Sequence, residues 1–447
     1  SPLVAASQPL PFSSMSERDW RRAVQLWRAH APALLAELPK RGCPACGADQ
    51  SRWLFDSYDL HPYHECDVCG CWFVPRHVDW AVFDRLFERS PEAAAHAEQM
   101  MGYRDADSGR ESDMARIGGY LDDLLPLLPV ERESVAYLDA GCGVGHSLRA
   151  GLERGFRVQG VEVDVAALAL VRAAGLPVVT PDQDVPGAPY HLLSFWETLE
   201  HITNPLATIQ QYLPLLAEDG LVAITVPNLN ALATRVLRES CPWIHGGYNT
   251  PGHVNMFHAE SIGRLLDRAG LTLLDADGQF SANPLELLAV LAGASRGAFD
   301  TLDDHAPRQA LPQTAADLLS ALWPGAALIE RVALASPILR VIACRKGQEQ
   351  RFAPELSALR DRRRAEIETT ANALLAEEVD YKPISEELQR EINRRDDLLR
   401  TTTASMQDEI NRRDSLLEQE RDRYARSIDG RLRALGRKVG RLIGSRQ

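Results

Sequence analysis

Tyr137-Leu-Asp-Ala-Gly-Cys-Gly-Val-Gly145 is a short apolar run closed by an acid and followed by three glycines at alternate positions. It reads as a buried strand, a tight turn and the opening of a helix. Gly141 and Gly143 let the backbone approach a ligand closely, and Gly145 opens the helix with no side chain in the way. A glycine-rich turn alone decides little, so the chain around it has to be weighed. Apolar runs at Val135–Asp139, Arg157–Glu162, Pro177–Thr180, Tyr190–Trp196 and Leu221–Val226 alternate with helical stretches. That alternation predicts an α/β fold, a mostly parallel sheet covered on both faces. Leu271–Gln279 and Pro337–Arg345 read as two further strands, with a helical insertion at residues 283–335 between them. Glu162 ends the second strand about twenty residues after the glycines, where a carboxylate can accept hydrogen bonds from both hydroxyls of a ribose.

Upstream, Cys43 pairs in spacing with Cys46 and Cys66 with Cys69, two residues apart in each case, and 19 residues lie between the pairs. This is close to the spacing of a zinc ribbon, in which two knuckles converge on one tetrahedral ion. Gly47 and Gly70 follow each pair, where the knuckle backbone turns sharply. The alternative is a disulfide pair or four unrelated thiols, which a reducing compartment disfavours. Four thiolates fill the coordination shell, so the expected zinc is structural. Cys71, His61 and His64 lie nearby but complete no second knuckle.

A family resemblance then rests on five ordered segments. They are Leu138-Asp-Ala-Gly-Cys-Gly-Val-Gly145, Gly160-Val-Glu-Val-Asp164, Phe195-Trp-Glu-Thr-Leu-Glu-His201 with Asn204-Pro205, Gly220-Leu-Val-Ala-Ile-Thr-Val-Pro227 and Gly252-His-Val-Asn-Met-Phe257. With the cysteine pairs, this resembles the class I S-adenosylmethionine-dependent methyltransferases, especially the bacterial subgroup with an N-terminal zinc ribbon. The resemblance implies a Rossmann-like sheet and S-adenosylmethionine as cofactor. It implies that Asp139, Gly141, Gly143 and Gly145 face the methionine part, Glu162 the ribose and Asp182 the adenine, with Trp196 on the cofactor floor. His191 stands where the family usually has an Asp.

Methyl transfer is an in-line displacement, and a hydroxyl nucleophile needs a base. His201 and His253 follow the fourth and fifth strands, at the sheet edge where ligands bind, and histidine titrates near neutrality. His201 equally suits a helix cap that orients Glu200. His245, Tyr248 and His258 are weaker candidates, and Glu197 suits a cofactor amino group or a substrate hydroxyl. No Asn-Pro-Pro-Tyr type motif follows the fourth strand, which by family resemblance favours an oxygen or carbon acceptor. Zinc-ribbon members resemble sugar and polysaccharide tailoring enzymes, so the expected substrate is a sugar or glycan hydroxyl. The alternatives are an RNA methyltransferase and a non-catalytic scaffold that keeps the fold.

The formal net charge of -13 argues against a generic nucleic-acid binder, yet the charge is uneven. From Arg423 onward eight basic residues face one acid, Asp429. Before that, Glu391-Ile-Asn-Arg-Arg-Asp-Asp-Leu-Leu399 recurs as Glu409-Ile-Asn-Arg-Arg-Asp-Ser-Leu-Leu417, a period of 18 residues. Five turns of helix take that length, so an apolar stripe persists and predicts self-association through a coiled coil, against the alternative of a solitary solvated helix. The basic amphipathic end suits an anionic membrane surface or an acidic partner. The architecture is similar to the bacterial O-antigen chain-terminating methyltransferases.

The expected organisation is a lead-in and N-terminal helix (1–40), a zinc ribbon (41–78), bridging helices (79–130), the methyltransferase domain (131–347), the coiled coil (348–422) and the basic tail (423–447). No apolar run of about 18 residues and no leader pattern occurs, so the expected location is cytoplasmic, peripheral at the inner face of the membrane where the tail engages it.

Overall fold

A computed structural model describes residues 38–56, 62–76, 110–231, 253–279 and 327–376, with Ala36, Thr234, Arg235 and Asn393 besides. Nearly all of the expected N-terminal helix, most of the bridging segment and most of the 283–335 insertion lie outside the described residues. So do the coiled-coil repeat apart from Asn393, the basic tail, His245 and Tyr248.

Seven strands form the main sheet: β4 (Ala136–Ala140), β5 (Arg157–Val161), β6 (Val178–Val179), β7 (Tyr190–Trp196), β8 (Leu216–Pro227), β10 (Leu271–Gln279) and β11 (Ile338–Arg345). Their order is β10-β11-β8-β7-β4-β5-β6. All neighbours pair in parallel except β11, which runs antiparallel to β8 and β10. The strand at Pro177–Thr180 is shorter than the sequence predicts, and the one at Leu221–Val226 starts earlier, at Leu216. From β4 the chain fills one side with β5 and β6, then returns to the other as β7 and β8. The order therefore reverses between β4 and β7, and ligands in open α/β sheets bind beyond the carboxyl ends at such a switch. The glycine turn leaves β4 there, and the Glu197–His201 turn leaves β7.

Helices α1 (Arg110–Leu124), α2 (His146–Glu153), α3 (Val165–Ala173), α4 (Pro205–Tyr212), α5 (Ala259–Ala269) and α6 (Ala353–Ala376) accompany the sheet. Asp164 caps α3 by accepting from the Ala167 amide, and Asn204 caps α4 with Pro205 as its first residue. Successive strand residues point to opposite faces. Tyr137, Leu192 and Ile342 accordingly pack with Tyr120 and Leu124 of α1, while Leu138, Leu193 and Val341 pack with Ile209 and Leu265 on the other side.

The ribbon strands β1 (Ser51–Asp56), β2 (Pro62–Cys66) and β3 (Trp72–Phe73) continue antiparallel into β9 (Asn255–Met256), so one four-stranded sheet holds residues from both expected domains. Cys43, Cys66, Cys69 and Phe73 share a core with Phe257, Ile262 and Leu266. The ribbon expected as a unit of its own at 41–78 is thus part of the catalytic fold. The boundary expected at residue 347 also moves, because the compact unit runs on to Glu377. Its cause is a stripe of Phe352, Leu356, Leu359 and Arg363, buried every three or four residues against the sheet. Arg363 donates to Asp275 at 2.5 Å and lies 3.3 Å from Asp277, and Arg340 also pairs with Asp277. Burial pushes the Asp277 carboxyl up, but Arg340, Arg363 and Arg331 outweigh it and hold it below the usual carboxylate range. Among the described residues, no helix is long and apolar enough to cross a membrane.

Candidate active site

Gly141, Gly143 and Gly145 have φ values of 87°, 53° and 84°, a left-handed run that side chains rarely tolerate. A Cβ on Gly141 would sit 2.5 Å from Thr198, and one on Gly145 would sit 2.7 Å from Leu176, whereas one on Gly143 would meet nothing within 4 Å. The first and third glycines therefore close the packing, and the second leaves an open cradle.

Glu162 holds this turn. Its Oε2 accepts from the Gly143 amide at 2.7 Å, and its Oε1 accepts from the Val163 and Asp164 amides at 2.7 and 2.8 Å. A carboxylate offers about four acceptor positions, so one remains on Oε2 beside the cradle. That fits one ribose hydroxyl without rearrangement, where the sequence reading had room for two. Asp182 lies exposed after β6, and a hydrogen bond with Thr180 holds its carboxyl below the usual range.

Asp139 and Trp196 belong to one hydrogen-bonded network. Asp139 is buried and accepts from Ser194 Oγ at 2.6 Å and from Ser147 Oγ. Trp196 Nε1 donates to the Tyr137 hydroxyl at 2.6 Å, and that hydroxyl lies 2.9 Å from Ser194 Oγ. Indole, phenol, seryl and carboxyl groups thus form a buried relay between β4 and β7, which fixes the two strand ends relative to each other. Burial, partly offset by the two seryl hydroxyls, pushes the Asp139 carboxyl up to about 7. His191 is also accounted for, since its Nδ1 accepts from the Ala136 amide at 3.0 Å and so supports the start of β4.

Past β7 the backbone turns at Glu197, whose φ of 48° is strained for a non-glycine residue. Its carboxylate receives Arg116 of α1 at 2.8 Å, and His146 at the start of α2 contacts Asp113 of α1 at 3.2 Å. Helix α1 therefore lies over both turns. Glu200 is fully buried, and its two carboxylate oxygens have no hydrogen-bond partner among the described residues. Burial and the nearby Glu197 push its carboxyl well above the usual range. His201 and His253 place their Nε2 atoms 4.0 and 3.9 Å from Glu200 Oε1, with ring centroids 4.7 Å apart.

His253 comes from far along the chain, and the ribbon holds it. The Tyr63 hydroxyl donates to the His253 carbonyl, Arg41 donates to the Val254 carbonyl at 2.8 Å, and the Val254 amide donates to the Glu200 carbonyl at 2.8 Å. Asn255 donates to the Leu199 and Ile202 carbonyls at 2.8 Å each and so clamps the turn that carries Glu200 and His201. Sequence reading singled out neither Arg41 nor Asn255 for this duty, although a lone amide within the Val254–Phe257 apolar run was the available signal. His258 caps α5 and contacts the Cys69 carbonyl at 3.0 Å, which makes it a structural residue.

Cys43, Cys46, Cys66 and Cys69 bring their sulfurs within 4.8 Å of one another, with Cys43···Cys69 and Cys46···Cys66 both 3.5 Å. Tetrahedral zinc at about 2.3 Å from each sulfur spaces them about 3.8 Å apart, so this donor set fits that ion. Cys71 donates to the Met256 carbonyl at 3.4 Å, and His64 Nδ1 contacts Ser51, so neither belongs to the set.

Residues 112–276, from α1 through β10, match a family model described as a methyltransferase domain. Over this span the protein is a methyltransferase. The matched span contains the glycine turn, Glu162, Glu200, His201 and His253, and leaves out the ribbon cysteines. The methyltransferase is 24% identical over 189 residues to a ubiquinone biosynthesis O-methyltransferase of Paracidovorax citrulli, covering 39% of this chain and 76% of that one. It also resembles solved structures. With the plantazolicin methyltransferase BpumL in complex with SAH, identity is 11% and the TM-score 0.34, over 59% of this chain and 93% of that one. With a SAM-dependent methyltransferase from Archaeoglobus fulgidus, identity is 16% and the TM-score 0.35, over 52% and 93% of the two chains.

Proposed function

We propose that the enzyme methylates a hydroxyl group of a sugar or glycan. The observation that carries this reading is the convergence of His201 and His253 on Glu200, on a turn whose Thr198 lies against Gly141 of the cofactor turn. Two imidazoles beside the cradle suit an acceptor that must lose a proton as it is methylated. The bound cofactor supplies an electrophilic methyl group on a sulfonium. Gly143 and Glu162 seat it, α1 covers the turns, and His201 and His253 serve the acceptor oxygen. At the His201–His253 pair the acceptor hydroxyl would give up its proton as it takes the methyl group. An oxygen acceptor agrees with the name of the P. citrulli relative, and a sugar agrees with the kind of enzyme that joins a zinc ribbon to this sheet.

The four cysteines hold a structural zinc in this reading, and the segment beyond Glu377 joins copies of the chain. Incubation with methyl-labelled cofactor and fractionated cell extract tests the substrate. Label is expected in the glycan fraction. Label confined to nucleic acid would replace this reading with RNA methylation, and no label anywhere, with cofactor bound, would point to a scaffold.

A further inference from the structure

We propose that Glu200, His201 and His253 form a divalent-cation site, distinct from the four cysteines, through which the enzyme activates its acceptor hydroxyl. The inference rests on the hydroxyl-methylation reading and refines how these side chains act. Its first support is geometric: one carboxylate oxygen and one nitrogen from each imidazole lie within 4.8 Å of one another. The second is the Glu200 carboxylate, fully buried with neither oxygen hydrogen-bonded among the described residues. A buried carboxylate is costly unless it is paired or coordinates a metal. Here both histidines present Nε2 to the same oxygen, at 4.0 and 3.9 Å, a spacing too long for hydrogen bonds.

An ion about 2.1 Å from each ligand atom brings neighbouring ligands to about 3.0–3.4 Å, within reach of modest side-chain rotation. The frame is built to hold them. Backbone bonds join Val254 and Asn255 to the Glu200 carbonyl, and the Asn255 side chain clamps the turn on both flanks. Two imidazoles and one carboxylate leave coordination positions open and suit a divalent first-row ion such as Mn2+, Fe2+ or Zn2+. The four-thiolate site differs in kind, being soft and closed.

The acceptor oxygen binds such an ion as a ligand, which lowers the pKa of its hydroxyl. Its proton leaves to water, the oxygen–carbon bond forms, and the electron pair of the carbon–sulfur bond stays on sulfur as a neutral thioether. His201 and His253 then act as ligands and not as free bases.

The test uses Mn2+ and the full chain with its zinc in place, followed by electron paramagnetic resonance of free Mn2+. The wild type is expected to bind one Mn2+ per chain. Glu200→Gln and His253→Ala are each expected to weaken that binding at least about 100-fold while melting temperature and cofactor affinity hold. Absence of stoichiometric binding below about 1 mM would overturn the proposal, as would variants that bind like the wild type. Mn2+ bound at this trio with no methyl group reaching a glycan sinks the acceptor reading and supports the site. Glycan methylation by an enzyme that binds no Mn2+ does the reverse.

Discussion

Gly143 is the cleanest place to test the cofactor cradle, because a side chain there meets no protein atom within 4 Å. Gly143→Arg is expected to fold, at a cost of about 1 kcal/mol for its positive φ, and to lose cofactor binding by calorimetry. Gly141→Ala would be a poor probe, since its Cβ would collide with Thr198. Glu162→Ala should weaken cofactor binding by about 1.5–3 kcal/mol, the worth of hydrogen bonds to a charged group. Unchanged affinity in both variants would refute the assignment of this cradle. Asp139 gives a pH test. Its folded pKa of about 7 lies above the unfolded value, so between about pH 4 and 7 the folded chain keeps a proton that the unfolded chain has released. Stability from this group is full below that window and is lost as pH rises through it. Asp139→Asn removes the loss, so urea unfolding should find the variant gaining on the wild type by a few kcal/mol between about pH 5 and pH 8. A difference that stays constant with pH would count against it.

At the scale of elements, the ribbon is a positioning device as well as a candidate metal site. Strand β3 pairs with β9, and the Tyr63 hydroxyl reaches the His253 carbonyl. Cys43→Ser or Cys69→Ser should lose the zinc and, with it, the placement of His253. Metal content and turnover are therefore expected to fall together. Tyr63→Phe is milder because it removes one hydrogen bond and leaves the knuckles intact. Turnover should fall by up to about tenfold, equivalent to about 1.4 kcal/mol, with zinc retained and cofactor affinity unchanged. Full turnover in Tyr63→Phe and in a zinc-free Cys43→Ser would refute the link.

For the whole molecule, the end of the catalytic unit is set by packing. A chain cut at residue 347 loses Phe352, Leu356 and Leu359 from the core and leaves Asp275 and Asp277 without Arg363. Each buried apolar side chain is worth about 1.5–3 kcal/mol, so this cut should cost on the order of 5 kcal/mol, enough to threaten folding. A cut at residue 377 should keep melting temperature and cofactor affinity, and light scattering should report a smaller assembly because the 18-residue repeat is gone. Equal stability of the two cuts would refute the packing argument. Removal of the residues from Arg423 onward should abolish salt-sensitive binding to anionic vesicles while keeping the assembly, each basic residue contributing about 1 kcal/mol at such a surface.

The glycine turn, Glu162 at the end of the second strand, the order of strands and helices, and the two cysteine pairs were legible in the chain by itself. Each is a local matter, in which residue spacing sets a turn, a strand period or a knuckle, and few residues intervene. Tertiary structure alone decided that β9 completes the ribbon sheet, that Trp196 and Asp139 end in one buried relay, that Phe352 and Leu356 belong to the catalytic core, and that His253 meets Glu200. These contacts join segments far apart in sequence. An apolar stripe or a buried polar side chain announces that it needs a partner, but hydrophobic burial is non-directional and does not say which face will supply it. Only the closed packing of the whole chain selects that face, and so brings Glu200, His201 and His253 to one point.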